Sequence, residues 1–274
     1  MTRPLDAGFL RDCVEQGVAP WLSFISSITY VEETTSTNDI AAEAARKGAP
    51  HGAIFLAEHQ TQGRGRGGRA WASCPRESIL VSMVLRPSEP VETMSSLALA
   101  VGLGVAEVMQ ACTSGKGVAI KWPNDVLLWG KKVAGVLVEA SFTGDRCDFV
   151  VVGVGINVYQ TQFEPPLADI ATSLAMESVA PKDRESVLLT VLTSMYVRFL
   201  QFAHSGLFEM QDDLRKLDAT KGCLVRVGDC EGVSDGIDVS GGLRVIVDGV
   251  PRVVCAGELC FLARPAQSVQ RRQS

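Results

Sequence analysis

Two apolar patterns alternate along the chain, and together they predict a protein of mixed strands and helices. Short apolar runs bounded by polar or turn-forming residues are typical of strands, whereas apolar residues at spacings of three and four are typical of helices. The runs with strand character cover 27–33, 53–58, 79–85, 133–142 and 148–159. Because the last two are long and almost wholly apolar, we expect them to be buried.

Helical segments lie between these strands and after them. Residues 36–48 begin with polar capping residues and continue through an alanine-rich stretch,. In 92–112 apolar side chains recur on one face, and the same period returns from Leu188 to Phe202,. A short helical lead is predicted within 1–26, and a further helix within 206–217.

The character of the sequence changes after residue 220. Short strands follow, separated by turn signals such as Asp248-Gly249, which favours a hairpin,. This pattern predicts a small SH3-like β-barrel over 220–264, after a main domain over 27–219. For the last residues, 265–274, we expect a flexible tail,.

Composition and charge describe an ordinary globular protein rather than a nucleic-acid-binding one. Hydrophobic residues make up 46% of the chain and charged residues 21%,. The net charge of −5 argues against a broad surface for nucleic acid,. The arginines within 63–69 are therefore a local positive feature of an acidic chain.

Cysteine spacing and hydropathy both indicate an intracellular location. The chain has eight cysteines, none in a Cys-x-x-Cys pair, and the three histidines do not flank them at zinc-binding spacing,. We therefore expect free thiols in a reducing compartment. No apolar run reaches about 18 residues, and the start of the chain lacks the features of a targeting peptide. These observations predict a cytoplasmic protein with no membrane span.

Residues 61–71, TQGRGRGGRAW, form an unusual segment that we call the arginine loop. It holds four glycines and three arginines between Gly63 and Arg69. Such a segment is compatible with a solvated surface loop. Alternatively, glycine amides can approach an anion closely while arginines add forked donors. Because ordering costs about 1–2 kcal/mol per residue, we expect the loop to be mobile when empty and ordered by an anionic ligand.

The glycines of this loop also match the Gly-x-Gly-x-x-Gly dinucleotide fingerprint, from Gly63 to Gly68. That fingerprint must open a helix after a strand. Here polar residues 69–77 lead directly into another strand. We therefore reject a Rossmann site.

Three further segments place polar residues at the ends of predicted elements. Lys-Trp-Pro-Asn-Asp at 121–125 is compatible with a polar turn or with a cofactor or metal site,. Gly-Val-Gly-Ile-Asn at 153–157 is compatible with a bulge or with a ligand that lies flat on the sheet,. Thr-Ser-Thr-Asn at 35–38, taken alone, is best explained as a helix cap,.

Together, in this order, these segments resemble the catalytic core of the biotin protein ligase family. The resemblance covers about 28–262 and includes the small C-terminal module. It implies an α+β fold, with a mixed β-sheet packed with helices of the class II aminoacyl-tRNA synthetase-like type, plus an SH3-like module. The matching residues are Ser36-Thr37-Asn38, Gln60, Gly63 to Arg69, Lys121 to Asp125, Lys132 to Gly135 with Glu139, and Gly153 to Asn157.

The resemblance implies an ATP-dependent ligase that works in two steps. Biotin is first activated to biotinyl-5′-AMP with release of pyrophosphate. The biotinyl group then passes to a lysine of a biotin carboxyl carrier domain of acetyl-CoA carboxylase or a related carboxylase. Because two anions must meet in the first step, cationic side chains and Mg²⁺ are required.

The family pattern also implies a role for each matching residue. The implied catalytic residues are Lys132, Arg66 and Asp125, with Mg²⁺ near Asp125. The implied biotin-binding residues are Ser36, Thr37, Asn38, Gln60, Gly63, Arg64, Arg66, Lys132 and Gly135. The implied ATP-binding residues are Arg64, Arg69, Trp71, Lys121, Asn124, Asp125 and Asn157, with Trp71 stacked on adenine.

Two departures from the family pattern, and two alternative functions, remain open. Ala70 stands where a basic residue is common, and 1–26 is too short for a DNA-binding helix-turn-helix domain, so we expect no repressor function. The alternatives are a lipoate or octanoate ligase and a non-catalytic biotin sensor. The sequence is compatible with a homodimer and predicts no nucleic-acid partner.

Overall fold

A seven-stranded mixed sheet carries the main domain. The computed structural model describes residues 3–16, 20–87, 94–177 and 183–264. The strand order is β1-β2-β3-β7-β6-β5-β4, with β1 and β2 parallel and the other neighbours antiparallel. The strands are β1 (Ser27–Thr34), β2 (Ala53–Gln60), β3 (Ser78–Leu85), β4 (Val118–Lys121), β5 (Asp125–Leu128), β6 (Lys131–Thr143) and β7 (Arg146–Asn157).

Five helices accompany the sheet in the described ranges, and each lies where the sequence predicts one. The prediction for 92–112 reaches two residues before the helix, and those lie outside the described residues. The helices are α1 (Ala7–Glu15), α2 (Thr37–Arg46), α3 (Met94–Cys112), α4 (Arg184–Ser205) and α5 (Gln211–Leu217). The α+β fold class is thereby confirmed.

The two faces of the sheet are covered by different helices. Helix α2 covers one face with small side chains, Ala41 and Ala45, which pack against Phe55 and Val151. Helix α3 covers the other face and is itself covered by α4, which explains why α3 is apolar almost all round,. Gly104 allows this close packing, because a Cβ there would lie 2.8 Å from the carbonyl oxygen of Ser194.

Among the described residues, α4 is the one helix long and apolar enough to cross a membrane by composition. An 18-residue window of it has a mean hydropathy of 1.4. Its apolar stripe, which includes Leu188, Leu192 and Met195, is buried against the rest of the main domain. We therefore interpret α4 as a core helix.

The C-terminal module is a five-stranded antiparallel sheet in the order β11-β10-β9-β8-β12. The predicted small β module is confirmed, but the strand pairing does not close it into a barrel, because the edge strands β11 and β12 do not pair with each other. The predicted tail, 265–274, lies outside the described residues. The strands are β8 (Leu224–Val227), β9 (Cys230–Ile237), β10 (Leu243–Val247), β11 (Val250–Val254) and β12 (Leu259–Ala263).

The module is joined firmly to the main domain. The amide of Ala219 donates to the carbonyl of Ile120 at 2.9 Å, which extends the main sheet beyond β4. The indole N–H of Trp122 donates to Gly241 at 2.9 Å from a fully buried position. Buried side chains of both units, among them Val225 and Leu259, belong to one continuous core. The position of the module relative to the sheet is therefore fixed by packing.

A buried ion pair connects β2, α4 and the N-terminal segment. Arg184 donates to Glu58 at 2.7 Å, and both side chains are almost completely buried. Glu58 also accepts from the amide of Leu5 at 2.5 Å and from the hydroxyl of Tyr30 at 3.2 Å. Arg184 donates further to the carbonyls of Arg3 and Ser78. Since most hydrogen-bonding positions of both charged groups are used, the loss of either partner leaves a buried charge without compensation.

We therefore expect Arg184→Met to destabilise the protein by about 3–5 kcal/mol, because Glu58 would remain buried and unpaired. Urea-induced unfolding measures the free energy of unfolding. Arg215→Met is the matched control, since Arg215 pairs with Asp212 at 2.8 Å on an exposed helix face. That change should stay within about 0.5 kcal/mol. If Arg184→Met lowered the free energy of unfolding no more than the control does, a structural role for the ion pair would be contradicted.

Candidate active site

Two glycines form the floor of a pocket on the α2 side of the sheet. Gly135 of β6 pairs with Gly155 of β7, and the same cross-strand row continues to Asp125 on β5 and Leu80 on β3. Because residues in one cross-strand row point to the same face, the row carries a carboxylate at one end and bare backbone in the middle. Both glycines line the pocket.

The indole of Trp71 lies on this glycine floor. A Cβ at Gly155 would lie 2.5 Å from the indole carbons, and one at Gly135 would lie 3.2 Å from the ring. The indole N–H is buried and has no hydrogen-bond partner among the described residues. A buried donor without a partner is costly, so this N–H is suited to an incoming acceptor. The predicted stacking of Trp71 on adenine stays a prediction, and its ring lines the same pocket as Thr37 and Gln60.

Neutral polar groups line the opposite end of the pocket, where α2 begins. The amide and hydroxyl of Thr37 both donate to the Oε1 atom of Gln60, at 2.7 and 3.0 Å. These two bonds fix the orientation of the Gln60 amide, so its NH₂ group points away from Thr37. Ser82 lies beneath this group, 2.8 Å from the hydroxyl of Thr37. A ligand with both donors and acceptors, but no charge, fits this end of the pocket.

Asn38 connects this end of the pocket to the arginine loop. Its side-chain oxygen would lie 2.1 Å from a Cβ at Gly153, so only glycine fits there. Its NH₂ group donates to Glu139 at 2.7 Å. The same carboxylate oxygen pairs with Arg64 at 3.0 Å, and Arg64 also pairs with Asp39 at 2.6 Å. The first arginine of the loop is therefore held by α2 and β6 together.

Lys132 lies at the edge of the glycine floor and pairs with Asp125. The ammonium nitrogen lies 2.6 Å from the carboxylate and 5.3 Å from the centre of the Trp71 ring. The backbone of Lys132 is fixed by residues 170–172, since it donates to Ile170 at 2.7 Å and accepts from Thr172 at 2.9 Å. The position of the Lys132 backbone therefore does not depend on a ligand.

Two more cations surround Asp125, and burial disfavours their charged forms. Burial lowers the pKa of Lys121, and the charge of Lys132 adds to this effect while Asp125 opposes it,. Burial also lowers the pKa of Arg66, with a further contribution from the charge of Arg69 and an opposing one from Asp125. One carboxylate therefore offsets several cations, and an additional anion is favoured at this position.

The other two arginines of the loop contact the C-terminal module. Arg69 pairs with Glu258, and Arg66 donates to the carbonyl of Gly257 at 3.2 Å. Carboxylates of the protein itself therefore already pair with Arg64 and Arg69, and the expected ordering of the loop by an anionic ligand stays a prediction. The expected mobility of the empty loop stays a prediction.

Two asparagines complete the surroundings of the pocket. Asn124 donates to the carbonyl of Val136 at 2.7 Å, which fixes its side chain against β6. Asn157 donates to the carbonyl of Thr172 at 3.0 Å, but its side-chain oxygen is buried and finds no partner in the described part of the chain. This oxygen is a second buried group that a ligand or a metal can satisfy.

The structure brings most of the predicted site residues together. Gly63, Arg66, Arg69, Lys121, Asp125 and Asn157 lie beside the pocket rather than in its lining. Gly63 shapes the loop, because a Cβ there would lie 2.8 Å from Gln60. The predicted residues that line the pocket are Ser36, Thr37, Asn38, Gln60, Arg64, Trp71, Asn124, Lys132 and Gly135.

Several residues of the site were not predicted from the sequence. For Gly153 and Gly155 the sequence leaves a bulge and a ligand-bearing surface open, and the structure places both glycines in the lining of the pocket,. Ser82, Asp39 and Glu258 carry no sequence signal, because each acts through a partner that is distant in the chain.

Comparisons with known proteins show which proteins this chain is similar to. The profile of the biotin/lipoate A/B protein ligase family matches residues 30–157. A biotin--[acetyl-CoA-carboxylase] ligase from Mycobacterium tuberculosis is 36% identical over 94% of this chain and 96% of its own length. The bifunctional ligase/repressor BirA of Bacillus subtilis is 36% identical over 65% of this chain, and the match spans 55% of that relative.

A solved structure of similar fold covers most of the chain. The biotin protein ligase from Aquifex aeolicus, in complex with biotin and ATP, has a TM-score of 0.77 and 29% identity, over 88% of this chain and 100% of the other. The fold, the pocket and these matches define a class of acid-activating protein ligases. The chain belongs to the biotin protein ligase family.

We expect Gly155→Ala to displace the indole of Trp71, because the new methyl group would lie 2.5 Å from two of its ring carbons. Once displaced, the indole N–H can bond to water, so the emission of Trp71 should shift to the red. The contribution of Trp71 is isolated by subtracting the spectrum of Trp71→Phe in each background.

Gly102→Ala is the matched control for this experiment. Gly102 lies inside α3, and a Cβ there would meet no atom within 4 Å. The control should leave the Trp71 emission unchanged and raise the free energy of unfolding by up to about 1 kcal/mol. Unchanged Trp71 emission in Gly155→Ala would show that the indole does not rest on the glycine floor.

Proposed function

We propose that this protein is an ATP-dependent biotin–protein ligase. It activates biotin to biotinyl-5′-AMP and transfers the biotinyl group to a lysine of a carrier domain. The observation that carries this proposal is the pocket itself. A neutral polar end at Thr37 and Gln60, an apolar middle where Trp71 lies on Gly135 and Gly155, and a cationic end at Lys132 follow one another. This order suits a ureido ring, an aliphatic chain and a carboxylate that reacts with a phosphate.

The neutral end of the pocket provides specificity for the ureido ring. Thr37 donates to Oε1 and so fixes the orientation of the Gln60 amide, and the NH₂ group is the part of Gln60 that can donate to an acceptor of the ligand. Buried polar groups that lose their partner are costly, so a ligand without the ureido group binds poorly. This supports biotin over the two acids of the alternative function, lipoate and octanoate.

The cationic end allows the first chemical step. The carboxylate oxygen of biotin attacks the α-phosphorus of ATP, and the bond to pyrophosphate breaks. Lys132 is placed to reduce the repulsion between the two anions and to stabilise the charge on the phosphoryl oxygens. Asp125 holds the ammonium group of Lys132 at 2.6 Å, and Arg66 provides a second positive charge nearby.

Mg²⁺ fits this site as a partner of the substrate phosphates. In the described ranges no three acidic, histidine or cysteine side chains form a cluster that could hold a metal by themselves. Mg²⁺ typically keeps several waters and binds through one or two protein oxygens plus phosphate. Asp125 and the unpaired oxygen of Asn157 are suited to this, and the ion would supply charge neutralisation.

In the second step the acceptor lysine must reach the activated acid. Its neutral amine attacks the acyl carbon, the bond to AMP breaks, and the amine proton leaves to solvent or a base. The relatives named for acetyl-CoA carboxylase support a biotin carboxyl carrier domain as the partner. We further propose that the protein works in the cytoplasm, without a nucleic-acid partner, and that a homodimer is compatible with its activity.

We expect Lys132→Ala to lower biotin-dependent ATP–pyrophosphate exchange by about 10²–10³, because one preorganised charge at the phosphorus is lost. Lys216→Ala is the control, since Lys216 is exposed on α5 and pairs with Asp213 on the same helix. Lipoate and octanoate are assayed beside biotin. Exchange close to that of the unchanged protein would refute the assigned role of Lys132, and stimulation by lipoate or octanoate rather than biotin would refute the substrate.

We expect Arg66→Gly to release biotinyl-AMP from the protein. Arg66 lies 5.8 Å from the centre of the Trp122 ring, and its loss adds a fifth glycine to the loop,. The free adenylate should accumulate and label unrelated lysines, as detected with streptavidin. Arg76→Gly is the control, because Arg76 already has a φ of 65° that suits glycine,. Equal retention of the intermediate in both variants would count against this role.

A further inference from the structure

A turn of the C-terminal module lies directly on the arginine loop. This turn, residues 255–258, precedes β12 and provides two contacts to the loop. Glu258 pairs with Arg69, and the carbonyl of Gly257 accepts from Arg66 at 3.2 Å. A further contact lies beside the turn, where the ammonium group of Lys121 is 5.6 Å from the centre of the Phe261 ring. The C-terminal module therefore contacts Arg66, Arg69 and Lys121, which are cationic residues of the candidate active site.

The turn is held in place by the core of the module. Gly257 has a φ of 137°, and a Cβ there would lie 2.5 Å from Val227, so the turn packs tightly on β8. The next residue after Glu258, Leu259, is buried and pairs with Val227. The module is fixed to the main sheet through Ile120 and Trp122. The backbone of Glu258 therefore has a fixed position relative to the pocket.

The loop needs such contacts on both sides. Four glycines in a short segment make its order costly, at about 1–2 kcal/mol per residue. Within the loop, Gly65 donates to Arg69 at 2.6 Å and Trp71 donates to Gly63 at 2.8 Å. Arg64 anchors one side to Asp39 and Glu139. On the other side of the loop, Arg69 pairs with Glu258 of the turn. Arg66 contacts Gly257 of the turn and the ring of Trp122.

We propose that Glu258 is a positioning residue, and that the turn at 255–258 is a latch that holds the arginine loop over the pocket. The C-terminal module thereby slows the escape of the acyl-adenylate after pyrophosphate has left. The part that concerns the adenylate rests on the proposed function. The docking of the loop by Glu258 does not, because it concerns the ligand-free protein.

Hydrogen exchange followed by mass spectrometry tests the docking without any ligand. In Glu258→Gln we expect the amides of 62–71 to exchange about two- to fivefold faster, as the loss of one exposed ion pair implies. Glu258→Arg should accelerate exchange by about tenfold, since it places like charges together. The double variant Arg69→Glu with Glu258→Arg restores the pair, and its exchange should return to within about twofold of the unchanged protein.

Release of the adenylate tests the consequence for the proposed function. Glu258→Gln should release biotinyl-AMP about two- to fivefold faster with little change in the rate of its formation. The matched control is Glu231→Gln, which removes an exposed pair with Arg226 in the same module, 3.0 Å long and remote from the loop. The control should change neither exchange nor release.

The possible outcomes separate the latch from the activity. If the unchanged protein forms no adenylate, the proposed function fails, while the exchange measurement still decides the docking. Exchange in Glu258→Gln equal to that of the control overturns the latch. A lower KM for ATP without faster exchange also overturns it, since Glu258 would then compete with phosphate for Arg69. Because Glu258 is more than half exposed, Glu258→Gln should fold normally, as circular dichroism can verify.

Discussion

The site depends on cations that the protein holds close together before any substrate arrives. Like charges in partly buried surroundings repel one another, and burial disfavours each of them. The chain offsets this cost with carboxylates of its own: Asp125 pairs with Lys132, and both Asp39 and Glu139 pair with Arg64. Each carboxylate pairs with a cation without occupying the glycine floor. The positive charge is therefore preorganised, and a phosphate or carboxylate does not have to assemble it.

The sheet explains why these groups can meet. The antiparallel pairing of β5, β6 and β7 places Asp125, Gly135 and Gly155 in one row, so that a carboxylate lies beside a flat floor. The floor accepts an aromatic ring, Trp71, at a distance that any side chain at Gly155 would prevent. The row also connects the main sheet to the arginine loop, since Trp71 is the last residue of that loop. Shape and charge in the pocket therefore have the same structural origin.

Much of the fold could be predicted from the sequence, because local patterns are strong here. The alanine-rich stretch of α2, the helical period of α4 and the apolar runs of β6 and β7 each favour one element. The predicted small β module is present but is not closed into a barrel. Short strands and turn residues do not specify whether the edge strands β11 and β12 pair with each other. The resemblance to biotin protein ligases indicated the residues of the site but not their mutual contacts. The counter-ion of Arg69, Glu258, is 189 positions away, and no local pattern encodes such a pair.

The sequence by itself determined the helices and the longer strands, but not the short strands β4 and β5, and it determined the inventory of reactive groups and the family. These follow from periodicity, turn chemistry and an ordered set of short motifs, which are all local properties of the chain. Only the tertiary structure decided which carboxylate faces which cation, that Trp71 lies on the glycine floor, and that the C-terminal module contacts the arginine loop. The physical reason is that charge pairing and close packing depend on distances in space, which the pairing of distant strands and the docking of the module establish.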